Sequence, residues 1–102
     1  MYHLRCYQLA VQFYKQVQGV NLPGALKNQL QRAASSIALN LSEGTGRRTR
    51  RDRIRFFQIA LGSIRECQAI IDLEHCRFNH IQRDLLDHLA ASTFKLTRNP
   101  AP

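Results

Sequence analysis

No run of about 18 apolar residues occurs in the 102-residue chain, which excludes a transmembrane helix from it. The first ten residues mix His3, Arg5 and Gln8 with apolar neighbours and contain no uninterrupted hydrophobic stretch or small-residue cleavage site. A secretory leader is therefore not expected, and the cytoplasm is the expected compartment. Cysteine is sparse: Cys6, Cys67 and Cys76 are odd in number and lack a C-x-x-C spacing. They fit reduced thiols serving as small buried hydrophobes. Five glycines and three prolines are too few for a collagen-like or low-complexity chain, and 44% apolar with 22% charged residues is a globular balance. A chain of this length makes one domain, able to bury roughly 65% of its unfolded surface around a thin core. Acid is also scarce. Seven Asp and Glu face fifteen Lys and Arg, leaving +8, and only Lys15, Lys27 and Lys95 among the cations are lysine. Such an excess points to an acidic partner, nucleic acid above all.

What is present is helical periodicity, with no strand pattern. From about Tyr2 to Gln18, Cys6, Tyr7, Ala10, Phe13, Tyr14 and Val17 recur at steps of three and four on one stripe, which Gly19 ends. After a connector containing Pro23 and Gly24, a second helix is expected from about Ala25 to Glu43. Its apolar stripe is Leu26, Leu30, Ala33, Ala34, Ile37 and Leu41, and Gly44 is its expected left-handed cap. Beside that stripe Gln29, Arg32, Ser36, Asn40 and Glu43 form a polar line. Thr49 followed by Asp52 resembles a capping box and starts a third helix, expected to end near Glu74 or Cys76. This longest helix carries one stripe of Phe57, Ala60, Leu61, Ile64, Cys67 and Ile71 and a second of Ile59, Gly62, Ile70 and Leu73. An outer bundle helix needs one buried stripe, so the second predicts cover by another subunit. Asn79 with Gln82 caps a fourth helix, buried through Ile81, Leu85, Leu89 and Leu96 with Leu86 and Thr93 flanking. Residues 1–98 are thus expected to form a single all-α, antiparallel up-down-up-down four-helix bundle, with Asn99–Pro102 as a frayed tail.

Candidates for chemistry are weak. A di-metal bundle needs two Glu-x-x-His motifs, whereas Asp72-x-x-His75 occurs once and Asp84 with His88 reads as a surface pair. No metal site and no cofactor is expected. Ser36 and Ser63 read as small packing residues, and Glu43 and Glu66 as partners for Arg, Asn40 or Ser63 across a helix contact, so no enzyme is expected. The EGTGRR turn lacks the spacing of a nucleotide-binding loop.

The strongest signal is basic. Arg47, Arg48, Arg50, Arg51, Arg53 and Arg55 place six guanidinium groups in nine residues, opposed locally by Asp52 alone. They sit around a helix N-terminus, where the macrodipole disfavours cations, so stability does not ask for them. Guanidinium binds phosphate bidentately, which makes Arg47, Arg48, Arg50, Arg51 and Arg55 the candidate nucleic-acid contacts. A solvated basic turn, or one forming ion pairs between subunits, is the other reading of the same residues.

At these residues the chain resembles a known family. RAASSIALNLSEGTGRR carries Arg32, Ala33, Ala34, Ser36, Ile37, Asn40, Glu43, Gly44, Gly46 and Arg47, and RFFQIALGSIRE carries Arg55, Phe56, Ile59, Ala60, Gly62, Ser63 and Glu66. Both blocks resemble the bacterial four-helix-bundle family named for proteins encoded in intervening sequences of 23S rRNA genes, which includes the accessory variability protein of diversity-generating retroelements. Ala38 departs from it, standing where members often carry a proline that kinks helix two. The resemblance implies a basic homopentamer without catalytic activity, in one member an assistant to a reverse transcriptase that binds nucleic acid. The expectation is therefore a homo-oligomer, with Ile59, Gly62, Ile70 and Leu73 at its interface, that binds RNA or DNA through backbone phosphates as an accessory factor to a nucleic-acid enzyme such as a reverse transcriptase. An adaptor docking an acidic protein is the alternative.

Overall fold

The computed structural model describes residues 2–98. Its four helices are α1 (Tyr2–Gln16), α2 (Gly24–Gly46), α3 (Arg50–Leu73) and α4 (His80–Arg98), with one 3₁₀ turn at His75–Arg77 before α4. Each helix packs on its neighbours in sequence, and α1 closes the ring against α4. The result is an all-helical, antiparallel four-helix bundle, elongated at 40 × 23 × 18 Å. Two long-range hydrogen bonds mark its ends. Tyr2 Oη donates to the Ser92 carbonyl, joining the start of α1 to the last turns of α4. At the opposite end Gln82 Nε2 donates to the Gln16 carbonyl. The Asn99–Pro102 tail lies outside the described residues.

The core follows the expected stripes on three helices. Cys6, Ala10, Phe13 and Val17 are buried from α1 and its exit, Leu30, Ala33, Ala34, Ile37 and Leu41 from α2, and Phe57, Ala60, Ile64, Cys67 and Ile71 from α3. Burying these side chains stabilises the fold at about 25 cal/mol per Å² of apolar surface. Four expectations are corrected. On α4 the buried line is Gln82, Leu86, Leu89, Thr93 and Leu96, while Ile81 is exposed and Leu85 half-buried. Gln82 can enter because its amide is satisfied: Asn79 N–H donates to its Oε1 at 2.9 Å and its Nε2 reaches Gln16. Tyr7 is exposed on α1. Cys76, unlike Cys6 and Cys67, is exposed because it falls in the 3₁₀ turn beyond the last core turn of α3.

Gly44 is not a left-handed cap. No glycine has positive φ, and α2 continues through Gly44 to Gly46, unbroken also at Ala38. The need for glycine is spatial: a Cβ there would lie 2.5 Å from a ring carbon of Phe57. Glycine therefore sets how closely α2 approaches α3 and how deeply Phe57 enters the core.

Candidate nucleic-acid interface

The connection between α2 and α3 is only Arg47–Thr49. Thr49 Oγ1 accepts from the Asp52 N–H at 3.1 Å, starting α3 as the capping pattern predicts. The turn is braced from within by Arg53, whose Nε donates to the Arg47 carbonyl at 2.9 Å and whose Nη2 donates to the Arg48 carbonyl. Arg53 is thus a structural member of the cluster, and the two carbonyls it binds come from the turn following α2. The end of α2 places its negative pole beside these cations, offsetting the unfavourable positive pole of α3, where Asp52 also sits in the first turn.

Arg47, Arg48, Arg50, Arg51 and Arg55 are all exposed at this end. Arg47 pairs with Glu43 at 2.8 Å and lies over the Phe56 ring at 4.7 Å, while Arg55 lies over the same ring at 4.4 Å. Phe56 therefore carries two guanidinium groups on its ring, of which Arg47 also donates from Nη2 to Glu43. The antiparallel arrangement brings Arg5 of α1 and Lys95 and Arg98 of α4 to the same end. Nine of the fifteen basic residues gather there against Glu43 and Asp52, while the remaining six are nearly matched by five acids. Arg5, Lys95 and Arg98 were not among the sequence candidates, although an up-down topology was enough to place them there.

The motif residues meet between α2 and α3. Ser63 Oγ donates to Ser36 Oγ at 2.8 Å, and Asn40 Nδ2 donates to Ser36 Oγ at 3.0 Å and to the Ser36 carbonyl at 2.9 Å. These groups form a polar link between the helices. Glu66, Gly62, Gly46 and Arg32 are exposed and take no part in that link.

The four interface candidates do not form one surface. Ile70 is 3% exposed in the subunit's own core, two turns beyond Ser63 and so on the same α2-facing flank of α3. Ile59 is 43% and Leu73 69% exposed, but Leu73 lies at the opposite end of α3. The apolar neighbour of Ile59 is instead Leu39, 66% exposed on α2. The Ser36–Ser63 bond sets the level of the antiparallel helices, and three residues on along α2 and four back along α3 bring Leu39 and Ile59 to one height. A lone Leu on the outer face of α2 carries no periodic signal, so only the helix pairing reveals it.

Two of the three cysteines are buried. Burial pushes the Cys6 thiol up to about 11, with nearby Arg5 acting the other way, and the Cys67 thiol up to about 12, with Glu66 adding to the effect. Neither is a thiolate nucleophile at neutral pH. Among the described residues no group of three His, Cys, Asp or Glu side chains converges as a metal site, and no helix is long and apolar enough to cross a membrane.

The fold and this end together define a four-helix-bundle protein with a single cationic pole. The chain belongs to the 23S rRNA-intervening sequence protein family, whose model matches residues 2–99. No curated protein and no solved structure matches it.

Proposed function

We propose that this protein is a non-enzymatic, cytoplasmic homo-oligomer that binds RNA or DNA through backbone phosphates at its cationic pole. The observation that carries this is the segregation of charge: nine basic residues against two acids at one end, with near balance elsewhere. Two of the guanidinium groups, Arg47 and Arg55, rest on Phe56, and a guanidinium edge matches phosphate oxygens; Arg47 would exchange its Glu43 partner for phosphate. The family's name, which refers to ribosomal RNA, supports a nucleic-acid setting. Among the described residues no strand or free recognition helix projects from the bundle to read base pairs in a groove, so binding is sequence-tolerant. Leu39, Ile59 and the open surface at Gly62 form the self-association face, and a homopentamer is the assembly the family resemblance favours. A nucleic-acid enzyme such as a reverse transcriptase is the partner class such an accessory protein would serve.

Fluorescence anisotropy with a labelled RNA or DNA across 50 to 300 mM salt tests the reading. With about six phosphates neutralised, the log–log slope is roughly −4 to −5, and charge reversal of Arg50 and Arg51 flattens it by about one per lost contact. Affinity indifferent to salt would remove phosphate binding. An acidic protein docked at this pole would instead survive ribonuclease treatment in a pull-down.

A further inference from the structure

We propose that the cationic pole takes single-stranded nucleic acid, with unstacked bases laid along the seam between α3 and α4 and phosphates on the arginines beside it. The proposal rests on the nucleic-acid reading above and adds which part of the polymer is gripped. Arg50, Arg51, Ile54, Arg55 and Gln58 line an open depression of about 620 Å³ on α3. Phosphate alone asks only for cations. An apolar floor at Ile54, an amide at Gln58 and a rim of three guanidinium groups suit a flat heterocycle with polar edges joined to a phosphate.

The seam supplies a ring for the next base. Ile54 lies 18 residues, five full turns, before Asp72 and so faces the same way. Asp72 lines a groove shared with Arg83 and Asp87 of α4. Phe94 lies seven residues beyond Asp87 and eleven beyond Arg83, on the α3-facing flank of α4 at its cationic end. It is 44% exposed, and Arg98 sits over it at 5.4 Å. The core does not require a phenylalanine in that position. Together with Phe56, this makes three guanidinium planes resting on aromatic rings at one pole, the contact geometry that bases also use. A duplex keeps its base faces stacked internally and cannot use such a surface. The far end of the same seam carries Asp72, Asp84 and Asp87, whose three negative charges outweigh Arg83, itself bound to the Phe78 carbonyl, and so confine the strand to the basic half.

The chain contains no tryptophan, so Phe94→Trp creates a single tryptophan at the seam, excited at the red edge where the three tyrosines do not absorb. That variant is titrated with a 12-nucleotide oligothymidylate, with an abasic strand of equal length and charge, and with a duplex. The expected result is quenching of the emission by oligothymidylate alone, binding by the parent at least about fivefold tighter than to the abasic strand, and loss of that advantage in Phe94→Leu. Helicity by circular dichroism checks that each variant is folded. Equal affinity for the abasic and base-bearing strands, an unquenched tryptophan, or preference for the duplex overturns base stacking while leaving phosphate binding in place. Absence of binding to any of the three removes both readings.

Discussion

Gly44 and Gly62 show how one residue type does opposite things on two paired helices. At Gly44 a methyl group meets the Phe57 ring at 2.5 Å, whereas at Gly62 it meets open space. Gly44→Ala forces Phe57 from its rotamer or α2 from α3 and is expected to cost about 1–3 kcal/mol in urea unfolding. Gly62→Ala removes only the flexibility of a mid-helix glycine and is expected to stabilise the subunit by about 0.5–1 kcal/mol in the same measurement. Thr93 offers a third test, being fully buried with no hydrogen-bond partner for Oγ1 among the described residues. Thr93→Val replaces the hydroxyl with a methyl group of similar size and is expected to raise the urea midpoint, by about 1 kcal/mol in stability. The glycine pattern was visible in the sequence, but its cause was not. A glycine near a helix end reads as a cap, and only the partner helix reveals that close approach is the constraint.

Among the elements, α1, α2 and α3 bury most of the main stripe their periodicity foretells, Tyr7 excepted, because each carries a run of apolar residues at helical spacing. The fourth helix turns to a different face. Its apolar residues Ile81 and Leu85 face outward toward a groove with α1 lined by Gln12, Lys15, Gln16 and His80, while Gln82 is drawn inward. Hydrophobicity alone ranks glutamine as a surface residue; two hydrogen-bond partners from different parts of the chain reverse that ranking. Gln82 caps α4 through reciprocal bonds with Asn79 and fastens α4 to the end of α1. Gln82→Ala keeps the bond from its own N–H to Asn79 Oδ1 but loses both side-chain bonds, leaving the Asn79 N–H and the Gln16 carbonyl without that partner and a gap where the side chain was buried, so a loss of about 1–3 kcal/mol is expected by thermal or urea unfolding. Gln82→Glu keeps the acceptor toward Asn79 but not the donor toward Gln16, and falls between the two.

At the scale of the whole molecule, antiparallel packing converts a modest excess of arginine into a dipolar particle with one cationic pole. In the proposed function, charge at that pole governs association with polyanions, and the exposed Leu39 and Ile59 on the α2–α3 face govern association between copies. Leu39→Asp with Ile59→Asp is expected to shift the protein to monomer by light scattering, with the helical signal retained, because both side chains lie outside the core; a parent already monomeric would refute the self-association face. The class, the number of helices, the caps at Thr49 and Asn79 and the arginine cluster are all legible along the chain, since these depend on local spacing and on chemistry carried within a turn or two. Tertiary structure alone decided that Ile70 belongs to the subunit's core, that Leu39 stands beside Ile59, and that Arg5, Lys95 and Arg98 share a pole with the turn. Those outcomes depend on which helices lie side by side and at what height, and the periodicity of a single helix carries no information about the level of its neighbour.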